Sequence, residues 1–218
     1  LLWADGYIGK TSYRICLEVV TDDAIFFTPI FTTTGKWHHT IRQRNQWRSI
    51  TTICANSKQL YDFLKKHDYE SKNNSADKIL SKIPVQLHQY WFRGFFDGDG
   101  TLYIGKSCVH LMFSGPISQN WDFLINPLNK LEIKFSIIKN SRINNKTGKL
   151  NSCSRLRITN QTDIVKLMSY LYHDFEIKPM GLPRKYKKLK LLLERIEKNH
   201  KFNPNKHLLS PSPQIDPQ

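Results

Sequence analysis

Apolar and polar residues alternate over 13–19, where Tyr13, Ile15, Leu17 and Val19 are separated by Arg14, Cys16 and Glu18. That period of two predicts a half-buried strand. The apolar run at 24–27, with Ile30 and Phe31, predicts a short apolar helix or a second buried segment. Residues 40–44 and 47–53 flank Asn45-Gln46 and predict a hairpin. Over 58–66 the spacing becomes helical, with Leu60, Phe63 and Leu64 on one face and Asn56 or Ser57 as cap. Residues 68–82 are polar and rich in Ser, Asn and Lys, and read as a linker.

The pattern then repeats. Tyr103-Ile104 and 109–113 predict a strand pair. A helix is predicted over 117–131, with Trp121, Leu124, Ile125 and Leu128 on one stripe. Residues 135–139 and 154–158 flank a longer turn at 144–148, and 163–172 predicts a helix matching 58–66. A last helix is expected over 183–199 on an apolar face of Leu189, Leu192, Leu193 and Ile196. The Pro-rich tail from Phe202 is expected to be disordered or draped over the surface. One αββαββα unit per half results. The expected division is a first half at 1–75, a linker at 76–89, a second half at 90–182, and a C-terminal helix and tail at 183–218.

The two units share a repeat ending in an acid and a glycine. The first copy is Leu1-Leu2-Trp3-Ala4-Asp5-Gly6 and the second is Phe92-Arg93-Gly94-Phe95-Phe96-Asp97-Gly98-Asp99-Gly100. Aligning Asp5 with Asp99 pairs Ala4 with Gly98 and Leu2 with Phe96. Gly94 and Gly98 stand i, i+4 on one helix face, where glycine costs about 1 kcal/mol relative to Ala. Two such losses make sense if a second backbone packs there. The two helices are therefore expected to pack through small residues and to bring Asp5 and Asp99 together at one end. Asp97 has Trp3 as its counterpart, so symmetry singles out Asp99, and Asp97 is given a capping or structural role. The first helix is cut by the start of the sequence, which lacks Met, so upstream residues are expected.

Charge narrows the partner. Lys and Arg number 33 against 18 Asp and Glu, a net charge of +15, which points to a polyanion. No apolar run reaches the ~20 residues of a membrane span. Cys16, Cys54, Cys108 and Cys153 form no CxxC pair and have no His at zinc spacing. They read as reduced thiols in an intracellular, reducing compartment. His38 and His39, adjacent on a strand, face opposite sides and suit a loop or nucleic-acid contact better than a metal. Two adjoining carboxylates repel unless cations lie between them. Oxygen ligands favour Mg²⁺ or a similar hard ion, which suits phosphodiester hydrolysis.

The string at 91–100 resembles the LAGLIDADG motif of homing endonucleases, and residues 1–6 resemble the same motif without its N-terminal part. A chain with both copies is similar to the monomeric, two-motif members, over about residues 1–190. The resemblance implies an α+β fold of two pseudo-symmetric αββαββα halves joined at a two-helix interface, with two sheets forming a saddle over the DNA major groove. It implies that Asp5 and Asp99, with Gly98 and Ala4 beside them, hold divalent metal. Two or three Mg²⁺ ions are expected, with Ca²⁺ binding but not supporting cleavage. It further implies cutting of both strands of a long duplex across the minor groove, leaving short 3′ overhangs. Family members carry a lysine after the last helix of each half. That role, polarising water or stabilising transition-state charge, falls on Lys72 and Lys185, with Arg184, Lys187 and Lys188 competing for the second place.

The saddle makes the hairpins the readers. Arg42 and Arg44, with Arg48 on the return strand, and Arg155 with Arg157 are candidates for guanine. Gln43 and Gln46 are candidates for adenine. Lys10, Ser12 and Arg14 are expected to form the matching first strand, and Lys139 with Ser141 are further second-half readers. Lys146 and Lys149 are assigned to phosphate. Double-stranded DNA is the expected partner of a monomer, with no membrane association. Two alternatives stay open: an RNA-binding intron maturase, and a non-catalytic DNA-binding regulator on the same fold. The absence of protein-splicing motifs favours a free-standing or intron-encoded enzyme, of organellar, bacterial or phage origin.

Overall fold

The computed structural model describes residues 1–10, 12–33, 36–44, 47–143, 148 and 150–199. The first set of elements is α1 (Leu2–Asp5), β1 (Gly6–Ile8), β2 (Arg14–Val20), α2 (Thr21–Thr33), β3 (Trp37–Arg44), β4 (Trp47–Asn56), α3 (Lys58–Lys66) and α4 (Lys72–Leu80). The second is α5 (His88–Asp99), β5 (Gly100–Ile104), β6 (Val109–Pro116), α6 (Asp122–Lys130), β7 (Ser136–Ile143), β8 (Leu150–Ile158), α7 (Gln161–Tyr172) and α8 (Pro183–Asn199). The fold is α+β, with two four-stranded antiparallel sheets in the orders β1-β2-β4-β3 and β5-β6-β8-β7. The identical order is the expected repeat.

Alternation sorts each sheet into two faces. In the first, Ile15, Leu17 and Val19 on β2 stand opposite Ala55, Ile53 and Thr51 on β4, and all six are buried. In the second, Leu111 and Phe113 on β6 stand opposite Ile158 and Leu156 on β8, also buried. These rows pack against the helices. The main core joins both halves, running from Trp3, Ile15, Leu64 and Tyr69 to Phe92, Phe96, Leu111 and Leu156. A smaller cluster of Leu17, Val19, Ala24, Phe27, Phe31 and Ile53 is closed by Leu182 from beyond the second sheet.

Capping follows the sequence. Ser57 Oγ accepts from the Leu60 N–H at 3.2 Å and starts α3. Asn160 Oδ1 does the same for Asp163 at 3.1 Å and starts α7.

Three expectations need correction. Residues 68–82, read as a polar linker, are folded against the core. They hold a 3₁₀ turn (Tyr69–Ser71) and α4, which bury Tyr69, Ser75, Ala76, Ile79 and Leu80. The burying face is narrow, so composition masks it. The helix over 117–131 begins only at Asp122, because Gln119 turns back to donate to the Asn73 carbonyl at 2.8 Å and docks α4. The cysteines are not all free. Cys16 and Cys54 are register partners on β2 and β4 with Cα atoms 4.2 Å apart, and their sulphurs are joined as a disulphide. Pairing across strands is invisible to a search for CxxC. Among the described residues Cys108 and Cys153 remain as thiols. The tail from His200 lies outside the described residues.

Candidate active site at the helix seam

α1 and α5 pack side by side through their small residues. A Cβ at Gly98 would strike the Ala4 methyl and come within 2.8 Å of Asp5 Oδ2. A Cβ at Gly94 would meet the Leu1 backbone nitrogen at 2.7 Å. Glycine is therefore required where the backbones touch, as the i, i+4 spacing predicted. The close approach sets Asp5 and Asp99 at the C-terminal ends of neighbouring helices, the negative ends of their dipoles.

That location penalises a carboxylate twice. Burial pushes the Asp99 carboxyl up to about 6, and the Asp5 charge adds to the rise, against the pull of Lys72 and Lys185. Asp5 is raised by burial in the same way, with Lys185 and Lys72 opposing. Neither carboxylate makes a hydrogen bond or ion pair to a described residue. Two half-buried, mutually repelling, unpartnered carboxylates are a hard-oxygen donor set that suits a divalent cation. The described residues contain no cluster of three or more His, Cys, Asp or Glu suited to a metal. A cation here would thus complete its shell with water and phosphate oxygens. Of the backbone ligands expected beside the acids, the Ala4 carbonyl accepts from Lys72 Nζ at 2.6 Å and keeps a second lone pair.

Lys72 and Lys185 both lie at this seam. Lys72 Nζ donates to the Ala4 and Gly6 carbonyls, the latter at 2.7 Å. Lys185 Nζ donates to the carbonyls of Phe96, Asp97 and Gly100, the last two at 2.7 Å. Each ammonium satisfies carbonyls that a helix end leaves open. Burial lowers both, and Lys185 falls to about 8. Arg184 does not compete for the place of Lys185. Its guanidinium grips Asp23 of α2 with bonds of 2.7 and 2.8 Å, linking α8 to the first half.

Asp97 takes a structural role. It is buried, accepts from Tyr172 Oη at 2.5 Å and from the Leu182 N–H at 3.1 Å, and so ties the start of α8 to α5. Gly181, at φ +133°, permits this approach, because a Cβ there would meet Asp97 Oδ2 at 2.6 Å. Arg93, 2 % exposed, bonds to the Leu171 and Met180 carbonyls and to Asp174. Sequence reasoning missed Arg93, although a charge inside an apolar helix signals a buried partner. On the first-half side, Asp5, Glu18, Asp23, Asp97 and Arg184 line a cavity of about 500 Å³.

The faces turned away from the helices carry many of the expected readers. On the first sheet, Arg14, Glu18 and Arg42 share the open face, and Arg42 is paired to Glu18 at 3.1 Å. A register shift between Arg42 and Arg44 breaks the simple alternation that was to align them. Arg48 falls on β4, but the Arg44 and Arg48 side chains, like all of Gln46, Lys146 and Lys149, lie outside the described residues. Gln43 is exposed on β3. Lys10 and Ser12 are exposed in the connection between β1 and β2, not in the strand that Arg14 begins.

On the second sheet, Arg155 and Arg157 share the open face with Ser114 and Met112. Lys139 and Ser141 do not join them. They pair with Ser154 and Ser152 in the row of Leu156, the helix side, and Ser141 Oγ sits 2.9 Å from Ser152 Oγ. The open-face residues of β7 are Ser136, Ile138, Asn140 and Arg142. His38 and His39 occupy opposite rows of β3, as alternation required.

No protein-family model matches this chain, and no curated protein matches it either. Among solved structures, full-length DUF199/WhiA from Thermatoga maritima is similar with a TM-score of 0.55 at 14% identity over 89% of this chain. The chain spans 57% of that protein's length. I-SmaMI bound to its uncleaved DNA target in the presence of calcium ions is similar with a TM-score of 0.51 at 13% identity, over 93% of this chain and 91% of that one. A lysine-to-alanine double mutant of I-SmaMI gives 0.53 at 13% identity, over 91% and 90%. The neighbours thus comprise LAGLIDADG homing endonucleases and WhiA, and at these identities the likeness shows a related fold.

Proposed function

We propose that this chain is a site-specific, divalent-metal-dependent endonuclease that cuts both strands of a long DNA duplex and leaves short 3′ overhangs. The observation that carries the reading is the pair of unpartnered carboxylates, Asp5 and Asp99, forced together at the seam of a strongly basic protein. An acid pair at the negative ends of two helices is costly for stability alone, and a bound cation removes the cost. I-SmaMI, a structural neighbour of similar length, binds a DNA target in the presence of calcium.

Asp5 and Asp99 would hold the cation, with Gly98 beside them. When bound, a cation such as Mg²⁺ supplies charge neutralisation and a more acidic water for phosphodiester hydrolysis. Lys72 and Lys185 fix the helix ends that carry the acids and add positive charge where the transition state gathers negative charge. Arg14 and Arg42 on one open face, and Arg155 and Arg157 on the other, are set to meet base edges or phosphates. The protein acts as a monomer, since one chain supplies both halves, and an intron-encoded origin fits the paired motifs. A DNA-binding regulator on the same fold is the second reading, supported by the likeness to WhiA.

The discriminating test is cleavage selection on a randomised duplex library with Mg²⁺ or Ca²⁺. Site-specific breaks that need Mg²⁺ and vanish in Asp5→Asn and Asp99→Asn are expected. Tight duplex binding with no cutting under any divalent ion transfers the reading to the regulator, and preference for structured RNA transfers it to a maturase.

A further inference from the structure

Arg42 and Arg157 both stand on the open face of a sheet, yet they are held differently. Arg42 is paired to Glu18 at 3.1 Å. The second sheet offers Arg157 no such partner, because β5, β6, β7 and β8 contain neither Asp nor Glu. The Arg157 Nε is buried without a hydrogen-bond partner. Met112 stands opposite Arg157, and His110 lies two residues before Met112 on the same face of β6. His110 is thus the diagonal neighbour of Arg157, within reach of a long side chain. Its Nδ1 is likewise buried and without a partner.

The surroundings of His110 favour an uncharged ring. Tyr103, opposite on β5, stacks on the imidazole with centroids 4.9 Å apart and fixes its plane. Arg157 faces it from β8. The turn that joins β5 to β6 adds Lys106, Cys108 and the Arg195 guanidinium that holds the turn's carbonyls. Burial first and the Arg157 charge second keep the imidazole below its ordinary 6.5. A neutral imidazole has one N–H and one acceptor nitrogen. With the proton on Nε2, Nδ1 is left to accept from Arg157 Nε–H, and the two orphaned atoms satisfy one another. The guanidinium then turns Nη1 and Nη2 outward as paired donors, the form that meets guanine O6 and N7.

We infer that His110 is a positioning residue for Arg157: through Nδ1 its neutral ring steadies the guanidinium in the pose that reads a guanine, and protonation of the ring releases it. The inference rests on the duplex-binding part of the proposed function and needs no cutting. An imidazolium has donors alone and repels Arg157. Acidification adds positive charge to the protein and strengthens its general attraction to DNA. At the base pair read by Arg157, selectivity therefore falls while overall affinity rises.

The test is a binding selection from a randomised duplex library in Ca²⁺ at about pH 7.5, followed by single base-pair changes in the recovered duplex. The pair to which Arg157→Ala becomes indifferent is the one Arg157 reads, and the wild type should discriminate there about tenfold or more. His110→Phe keeps a ring against Tyr103 but lacks the acceptor. It should cut discrimination at that pair about threefold or more and leave the other pairs unchanged. His110→Asn places an amide oxygen near the position of Nδ1 and should retain the discrimination. Between about pH 7.5 and about pH 5 the wild type should lose selectivity at that pair, and His110→Asn should not. Unchanged discrimination in His110→Phe, a loss at some other pair, or a pH-independent wild type overturns the inference while duplex binding stands. A library that yields no preferred duplex overturns the duplex reading, and the inference falls with it. A second readout needs no DNA. Nitrogen-15 spectra of the histidine-labelled protein should show His110 Nδ1 unprotonated, and Arg157→Ala should move the ring's titration upward. A proton on Nδ1 in the neutral ring, or a titration indifferent to Arg157, overturns the inference.

Discussion

Gly98 lies so close to Ala4 that a methyl group at position 98 would strike the Ala4 side chain and crowd Asp5 Oδ2 at 2.8 Å. Gly98→Ala therefore overpacks the seam. We expect a loss of about 1–3 kcal/mol, read as a melting-temperature drop of about 2–4 °C per kcal/mol for a chain of this size. Pairing it with Ala4→Gly should recover much of the loss. An additive double mutant would mean that the two residues do not press on one another.

Asp99 sets a pH signature. Its carboxyl titrates at about 6 in the fold against an ordinary 3.8, raised by burial first and by Asp5 second. The folded chain then binds more protons than the unfolded chain between those values, so this group's contribution falls as pH rises from about 4 to 6. The penalty is complete above 6. In EDTA, Asp99→Asn should flatten that fall and be more stable than the wild type at pH 7. Adding Mg²⁺ should stabilise the wild type increasingly as pH rises through about 6, and leave Asp99→Asn unchanged. Urea titrations across pH 4–8 check both.

Arg184 and Asp23 join α8 to α2 across the two halves. Asp23 is 7% exposed, so removing Arg184 leaves a shielded carboxylate without its cation. Arg184→Ala and Asp23→Asn should each destabilise by about 1–2 kcal/mol, and a double-mutant cycle should return a coupling of about 1 kcal/mol. Zero coupling would remove this pair from the forces that hold the halves together.

Strand alternation makes a sharp comparison on β7. Arg142 shares the open face with Arg155 and Arg157, and Lys139 stands on the other. Arg142→Ala, Arg155→Ala and Arg157→Ala should weaken duplex binding. Each phosphate that is no longer neutralised lowers the salt slope by about 1. Lys139→Ala should change binding least, as read by fluorescence anisotropy at several salt concentrations.

The Cys16–Cys54 bridge predicts thiol counts. The unreduced, denatured protein should show the thiols of Cys108 and Cys153 alone, and the reduced protein all four cysteines. An Ellman titration decides it. Four thiols before reduction would restore the expectation from cysteine spacing.

The repeat order, both hairpins, the seam and its acids were legible because each rests on a local signal: period-two alternation, the i, i+4 glycines and a duplicated acid–glycine step. Helix α8 was legible to its end residues, 183 and 199, from its leucine spacing and its proline start. What escaped notice depends on long-range partners. Helix α4 hid because Ala76, Ile79 and Leu80 form a narrow apolar face amid polar residues. Cys16 and Cys54 meet only through strand register, 38 residues apart in sequence. Lys139 and Ser141 were assigned to the wrong face because alternation gives two rows without saying which one the helices cover. The ties of Arg93 and Asp97 reach residues 75 to 87 positions away, beyond any local pattern.

Those ties make α5 resistant to opening. α5 is anchored along its length by Arg93, Asp97 and Lys185 to the stretch from Leu171 to Lys185. Backbone amides of α5, α7 and β6 therefore belong to the last cooperative unit to exchange with deuterium. Asp99 thus rides on a platform that opens only when the fold as a whole does.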